Sequence, residues 1–387
     1  MIFKNCDSSR LTAKKWLSGV EEHLLDRGEE TLLRQAARSK CLFRATVRIF
    51  FLILAVIIPV WPAQGSIQED MAFESSAFMA DTAYRKPESL ALDIAADGAE
   101  SPVNMEWDSI HQGKWYIEEQ RYGADAIVAG VVKNNAVAMD RGIKILQWGF
   151  SQQQPDGSFS CPDTFHSASF FIEAAAHACL ILEASSYARR YRSVIDSMKP
   201  RLLQEARWMC RPDVEKAGRL DDTPYTHRRY LDGCALGETG VLCGDQSLIE
   251  KSWSYVQDGI KIQAPDGHNP EKGGYDCSYH AVGLTFAGRY YAIVANPEQR
   301  HQLLPMLQKG VAWLATRVLP DGTLNPAGNT RTGLGQETGR NGTLKGLNYG
   351  SAYRVFYRWS MISGDGAYAK LAKRVFDGEQ KAKRQSQ

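Results

Sequence analysis

Four Pro-Asp pairs, each lying just after an apolar helical run that contains a tryptophan, constrain this chain more than any other feature. They are Trp148…Pro155-Asp156-Gly157-Ser158-Phe159, Trp208…Pro212-Asp213, Trp253…Pro265-Asp266-Gly267 and Trp313…Pro320-Asp321-Gly322-Thr323-Leu324. The prolines are separated by 57, 53 and 55 residues. A proline ends a helix because it lacks an N–H and restricts the residue before it. Asp-Gly then turns the chain, the glycine being free to take positive φ. A second helix follows each turn, at 169–185, a short one near 235–241, then 281–294 and 351–362. Gly233, Gly237, Gly240 and Gly244 are expected to break up the second of these. Each period therefore holds a helical hairpin. Partial units flank the four, at 122–132 and 368–376.

Strand-like alternation is absent from residue 107 onward, so the domain is expected to be all-α. Hairpins stacked at constant period form an open solenoid or close into a ring. The long loops on one side, rich in Gly, Tyr, His and Asp, suit a ring whose mouth is functional. The expected organisation is an N-terminal segment at 1–65, a linker or weakly ordered arm at 66–103, a helical domain at 104–378 and a basic tail at 379–387. A short helix is expected within the arm, near 87–95.

The net charge of +2 misleads, because ten Lys/Arg and six Asp/Glu fall in the first 65 residues. The remainder keeps 36 basic and 38 acidic residues, which does not fit a nucleic-acid binder. Residues 49–61 are apolar and follow Lys40, Arg44 and Arg48. That run is short for a membrane span and suited to the core of a signal peptide, with small residues at 63–65 for cleavage. Export to the periplasm or medium is the reading that length favours. Inner-membrane attachment through residues 45–61 is the alternative. Six cysteines follow this segment, an even number compatible with disulfides in an exported chain. Cys234 and Cys243 are the easiest pair to imagine, and Cys179 reads as a buried thiol. No C-x-x-C spacing marks a zinc site and no phosphate loop, nucleophile elbow or protease signature occurs, so neither metal nor cofactor is expected.

The order of helix, then Gln-x-Pro-Asp-Gly-Ser-Phe, then helix resembles the repeat of α/α toroid enzymes over about residues 105–378. That superfamily includes six-hairpin glycosidases and toroidal polysaccharide lyases. The resemblance implies a toroid of about five to six hairpins with a period of about 55 residues. Terpenoid cyclases share the turn style, but they would want an Asp-x-Asp-Asp motif, which Leu220-Asp221-Asp222-Thr223 is not.

His166, His227 and His280 fall eleven, fifteen and fifteen residues after their prolines, close to the start of a second helix. Equivalent positions of successive hairpins would share one rim, so three imidazoles would meet there. The fourth unit has Asn348-Tyr349 at the corresponding place. Any one of these histidines can equally be a loop or stacking residue, and His177 reads as a core residue. Asp163, Asp222 and Asp276 precede the histidines, either as helix caps or as acids and bases of an inverting hydrolase. Arg331, Arg340 and Lys345 would suit an anionic ligand such as a uronate chain, or else a solvated loop.

Toroidal lyases need groups to neutralise a uronate carboxylate, remove the C5 proton and protonate the leaving oxygen. The resemblance implies Tyr279 and His280 as base and acid, with His166, His227, Asn348 or Arg331 as neutralisers. Asp276 is expected among the catalytic residues with them, and Tyr349, Tyr275, Asp163 and Asp222 are expected to help bind substrate. The adjacent Asn-Asn-His pattern of some lyases is absent. The expected function is a lyase acting on an acidic bacterial exopolysaccharide. The alternatives are an inverting hydrolase using two of Asp163, Asp222, Asp276 and Glu337, or a non-catalytic glycan-binding factor in exopolysaccharide assembly or export.

Overall fold

The computed structural model describes residues 116–333, 337–339 and 342–385. The expected export segment, linker and short helix, together with Arg340, lie outside these residues. A short 3-10 helix, Ile117–Arg121, precedes eleven α-helices among the described residues. These are α1 (Tyr122–Lys133), α2 (Ala136–Ser151), α3 (Thr164–Ala184), α4 (Ala188–Met209), α5 (Pro212–Asp221), α6 (Thr226–Cys243), α7 (Gln246–Lys261), α8 (Cys277–Ile293), α9 (Pro297–Thr316), α10 (Tyr349–Ser363) and α11 (Gly366–Gln385). The described part is all-α, with extended pairing confined to isolated bridges.

Two rows of helices follow from two kinds of sequence. α1, α3, α6, α8 and α10 pack against one another in that order. Each also packs on the helix that follows it in the outer row: α2, α4, α7, α9 or α11. The inner helix α3 is buried from Phe165 to Leu182 apart from half-buried Phe170. By length and composition α3 resembles a membrane span, yet it is a core helix enclosed by its neighbours. The outer α4 buries one stripe, Tyr191, Ile195, Met198, Leu202, Ala206 and Met209, with the spacing of a half-exposed helix.

The Pro-Asp-Gly turns join the rows. Gly157, Gly267 and Gly322 take φ of 97°, 101° and 88°, conformations that favour glycine. A Cβ on any of them would collide with a carbonyl of an outer helix, that of Gln204, Lys309 or Arg374 respectively. In two turns a glutamine ties the same joint. The Gln153 amide donates to Gly157 and Arg201 carbonyls, and that of Gln263 to Gly267 and Met306 carbonyls. The second Pro-Asp pair is different: Pro212 is the first residue of α5, a position where its missing N–H costs nothing. That period therefore contains an additional helix instead of a glycine turn.

Three further expectations are corrected. α6 runs unbroken through Gly233, Gly237 and Gly240, because those glycines let α7 and α8 approach closely. A Cβ on Gly233 would stand 2.6 Å from Val256, and one on Gly237 2.8 Å from Val294. Gly244 then ends the helix at φ 69°. Cys234 and Cys243 are both free thiols. Nine residues apart on one helix, they are separated by about 13 Å, beyond any disulfide. The tail expected at 379–387 is helical as far as Gln385, with Gln380 buried and Glu379 paired to Lys383 one turn on.

Candidate active site

Side chains from all five inner helices and from the loops at 271–275 and 325–348 line a cavity of about 980 Å³. Its wall is built from helical stripes. From α3 come His166, Phe170, Glu173 and His177, and from α8 Tyr279, Val282, Phe286 and Arg289, spacings of three to four that put each set on one face. Glu173 and Arg289 form an ion pair between the two stripes. His177 is buried, as expected, and pairs with Glu238 at 3.2 Å.

At the helix starts the charge is concentrated. Glu271 is fully buried, and its Oε1 accepts the His227 backbone N–H at 3.0 Å and lies 2.8 Å from Nδ1. Burial favours a neutral carboxyl, but His227 and Arg331 outweigh it and Glu271 is held below the usual carboxylate range. Burial lowers His227, against the pull of Glu271. The pair is accordingly a carboxylate and a neutral imidazole. Nδ1–H donates to Glu271, and that bond leaves Nε2 as the acceptor nitrogen.

The His227 ring stands 4.7 Å from that of Tyr279, centroid to centroid, and 6.3 Å from that of His166. Arg331 lies 3.4 Å over the Tyr279 ring, and its Nη1 is 3.3 Å from Glu271 Oε2. Glu337 then receives three cations: Arg331 Nε at 3.2 Å, Lys345 Nζ at 2.6 Å and Lys272. Burial opposes its charge, but the Lys272 and Lys345 hydrogen bonds prevail and push its carboxyl down to about 2. On the neighbouring helix Arg228 bridges Asp222 at 2.9 Å and Asp163 at 3.4 Å.

The structure gathers eight of the expected residues in this cavity: His166, His227, Tyr279, Asp163, Arg331, Asn348, Lys345 and Glu337. The Asn348 side chain also caps α10 by accepting from the Ser351 N–H at 2.9 Å. Five others stand elsewhere. His280 is fully buried, accepting the Asn269 N–H at Nδ1 (3.0 Å) and donating from Nε2 to the Gly310 carbonyl (2.9 Å). Burial pushes it down to about 4, so the ring is neutral and both nitrogens are committed to the core. Asp276 caps α8 through the Ser278 and Tyr279 N–H groups and also accepts from Arg331 and Thr332 N–H. Asp222 caps the end of α5 and lines a separate, smaller cavity of about 230 Å³. The Tyr275 hydroxyl donates to the Ala327 carbonyl, and that of Tyr349 accepts the Leu324 N–H.

Counting from the proline put the three histidines in register, but the helices begin earlier than the apolar pattern suggests. All three lie inside a first turn, where one residue is worth 100° of rotation. Counted from the residue before each helix, the third positions of α3, α6, α8 and α10 are His166, Arg228, Tyr279 and Ser351, and all four line the cavity. His280 is one step further round. The same count would have found Arg228. Glu271 and Lys272 carry no local signal, since their partners lie 44 to 65 residues away. No protein-family model matches the chain, and no curated protein matches it.

Proposed function

We propose that the domain is an α/α toroid that cleaves an acidic, uronate-containing bacterial exopolysaccharide by β-elimination, exported by its N-terminal segment. The observation that carries the reading is the apposition of His227 and Tyr279, rings 4.7 Å apart, with Glu271 behind the imidazole and Arg331 over the phenol. A β-elimination needs a base at the C5 hydrogen and an acid at the oxygen leaving C4, on adjacent carbons. His227 Nε2, bare of a proton, takes the C5 hydrogen. The C4–O4 bond breaks as the C4–C5 double bond forms, and the Tyr279 hydroxyl gives its proton to the departing oxygen. Arg331, Lys345 and Lys272 hold the uronate carboxylate, stabilising the charge that grows on it as the C5 proton leaves. The hydrolase reading has less support: Glu337 is gripped by three cations, Asp276 is a committed cap, and Asp222 is paired with Arg228.

The test is to incubate the protein with a panel of uronate-containing and neutral polysaccharides. New ultraviolet absorbance from an unsaturated uronate is expected with an acidic member of the panel. Reducing ends without that absorbance would favour hydrolysis, and binding with neither would leave a glycan-binding factor.

A further inference from the structure

The three cations at the cavity mouth are already bound to a carboxylate, and it belongs to the chain itself. Lys272, Arg331 and Lys345 converge on Glu337 from two loops. Each has a second anchor on an aromatic face. Arg331 lies over Tyr279 at 3.4 Å, Lys345 over Tyr279 at 5.5 Å and Lys272 over Tyr225 at 5.7 Å. Arg331 also keeps Glu271. Each cation therefore has a contact besides Glu337. The Glu337 main chain is fixed independently, its carbonyl accepting the Lys345 N–H at 2.9 Å, so the side chain can swing out alone.

We propose that Lys272, Arg331 and Lys345 form the carboxylate-binding subsite of the cavity and that Glu337 is its built-in competitor, displaced when a ligand carboxylate binds. The chemistry is an exchange of one carboxylate for another on the same three donors, with no net change in charge at the cradle. Glu337 already occupies the donor groups of all three cations, Arg331 Nε and the Lys272 and Lys345 ammoniums, so a ligand carboxylate reaches those donors by taking its place. Glu337 stays ionised throughout the neutral and mildly acidic range, so acid does not relieve the competition. The inference deepens the lyase reading by naming the subsite and its occupant, and rests on that reading only for turnover.

The test is an NMR titration of the protein with glucuronate, and with glucose as the neutral control. Glu337→Gln is expected to bind glucuronate on the order of tenfold more tightly than the wild type, since an amide competes poorly for three cations. Glucose binding should not change. Lys345→Met added to Glu337→Gln should remove the gain. Glu337→Asp, which keeps the charge on a shorter arm, should bind with intermediate affinity and guards against a Glu337→Gln variant that fails to fold. Glucuronate binding that is equal or weaker in folded Glu337→Gln or Glu337→Asp would overturn the proposal, as would a gain that survives Lys345→Met. A gain in glucuronate affinity without lyase product from any polysaccharide would keep the subsite and discard the lyase. Lyase product without the gain would do the reverse.

Discussion

His227 and His280 stand at corresponding places in successive hairpins, near the first turns of α6 and α8, and are held in different ways. His227 has one nitrogen tied to Glu271 and faces a cavity with the other ring edge. His280 has both nitrogens tied to main-chain groups and packs on Trp313, ring centroids 4.7 Å apart. Both are neutral, and burial is the principal reason in each case. A buried imidazole bonded at both nitrogens is committed to the fold, whereas one bonded only at Nδ1 keeps Nε2 for another partner. What separates them is two residues of helical phase, His227 being second in α6 and His280 fourth in α8.

Substitutions can break that contrast. The largest effect expected is on rate: His227→Gln should lower turnover of an acidic polysaccharide by about 10³-fold, and since its amide can still donate to Glu271, which also keeps Arg331 and the residue-227 N–H, it should cost less stability than the loss of His280. His280→Ala should do the opposite. It leaves the Asn269 N–H and the Gly310 carbonyl without partners and opens a void against Trp313, costing about 3 kcal/mol of stability in urea unfolding. Equal losses of stability in the two variants would erase the distinction.

Acid sharpens it. The folded-state value of His280 is about 4, below the ordinary imidazole value of the unfolded chain. Between the two the unfolded chain binds the extra proton, so stability falls as pH drops from about 6.5 towards 4, by at most about 3 kcal/mol. In His280→Gln that part of the pH dependence should vanish, which urea unfolding at pH 7 and pH 5 would detect. A smaller effect is expected from Asp276→Asn. It keeps a cap on α8 but turns a non-accepting NH2 towards the Arg331 and Thr332 N–H groups, at about 2 kcal/mol.

The same contrast marks how far the sequence could be read. The hairpin period was legible because Pro155, Pro265 and Pro320 with their Asp-Gly partners act through their own backbones, which any neighbourhood must respect. Pro212 shares the Pro-Asp pair but is followed by Val214 where the other three have glycine, and it starts a helix instead of a turn; the missing glycine was the local signal. The cavity-facing phase was missed because the helix starts depend on caps. Asp276 fixes where α8 begins, and so whether Tyr279 or His280 turns inward. The ion network was legible only as a composition of Arg, Lys and Glu in two loops. Lys272 and Glu337 are 65 residues apart and meet only once the rows are assembled.

The account rests on Tyr279, and not its neighbour His280, facing the reaction. On the polysaccharide that yields unsaturated uronate, initial rates of Tyr279→Phe and His280→Gln should be compared at a temperature where both remain folded. Tyr279→Phe, which keeps the ring under Arg331 and loses only the hydroxyl, is expected to fall by about 10³-fold, while His280→Gln stays within severalfold of the wild type. A His280→Gln protein that is folded but inactive, beside a Tyr279→Phe protein that still turns over, would contradict it.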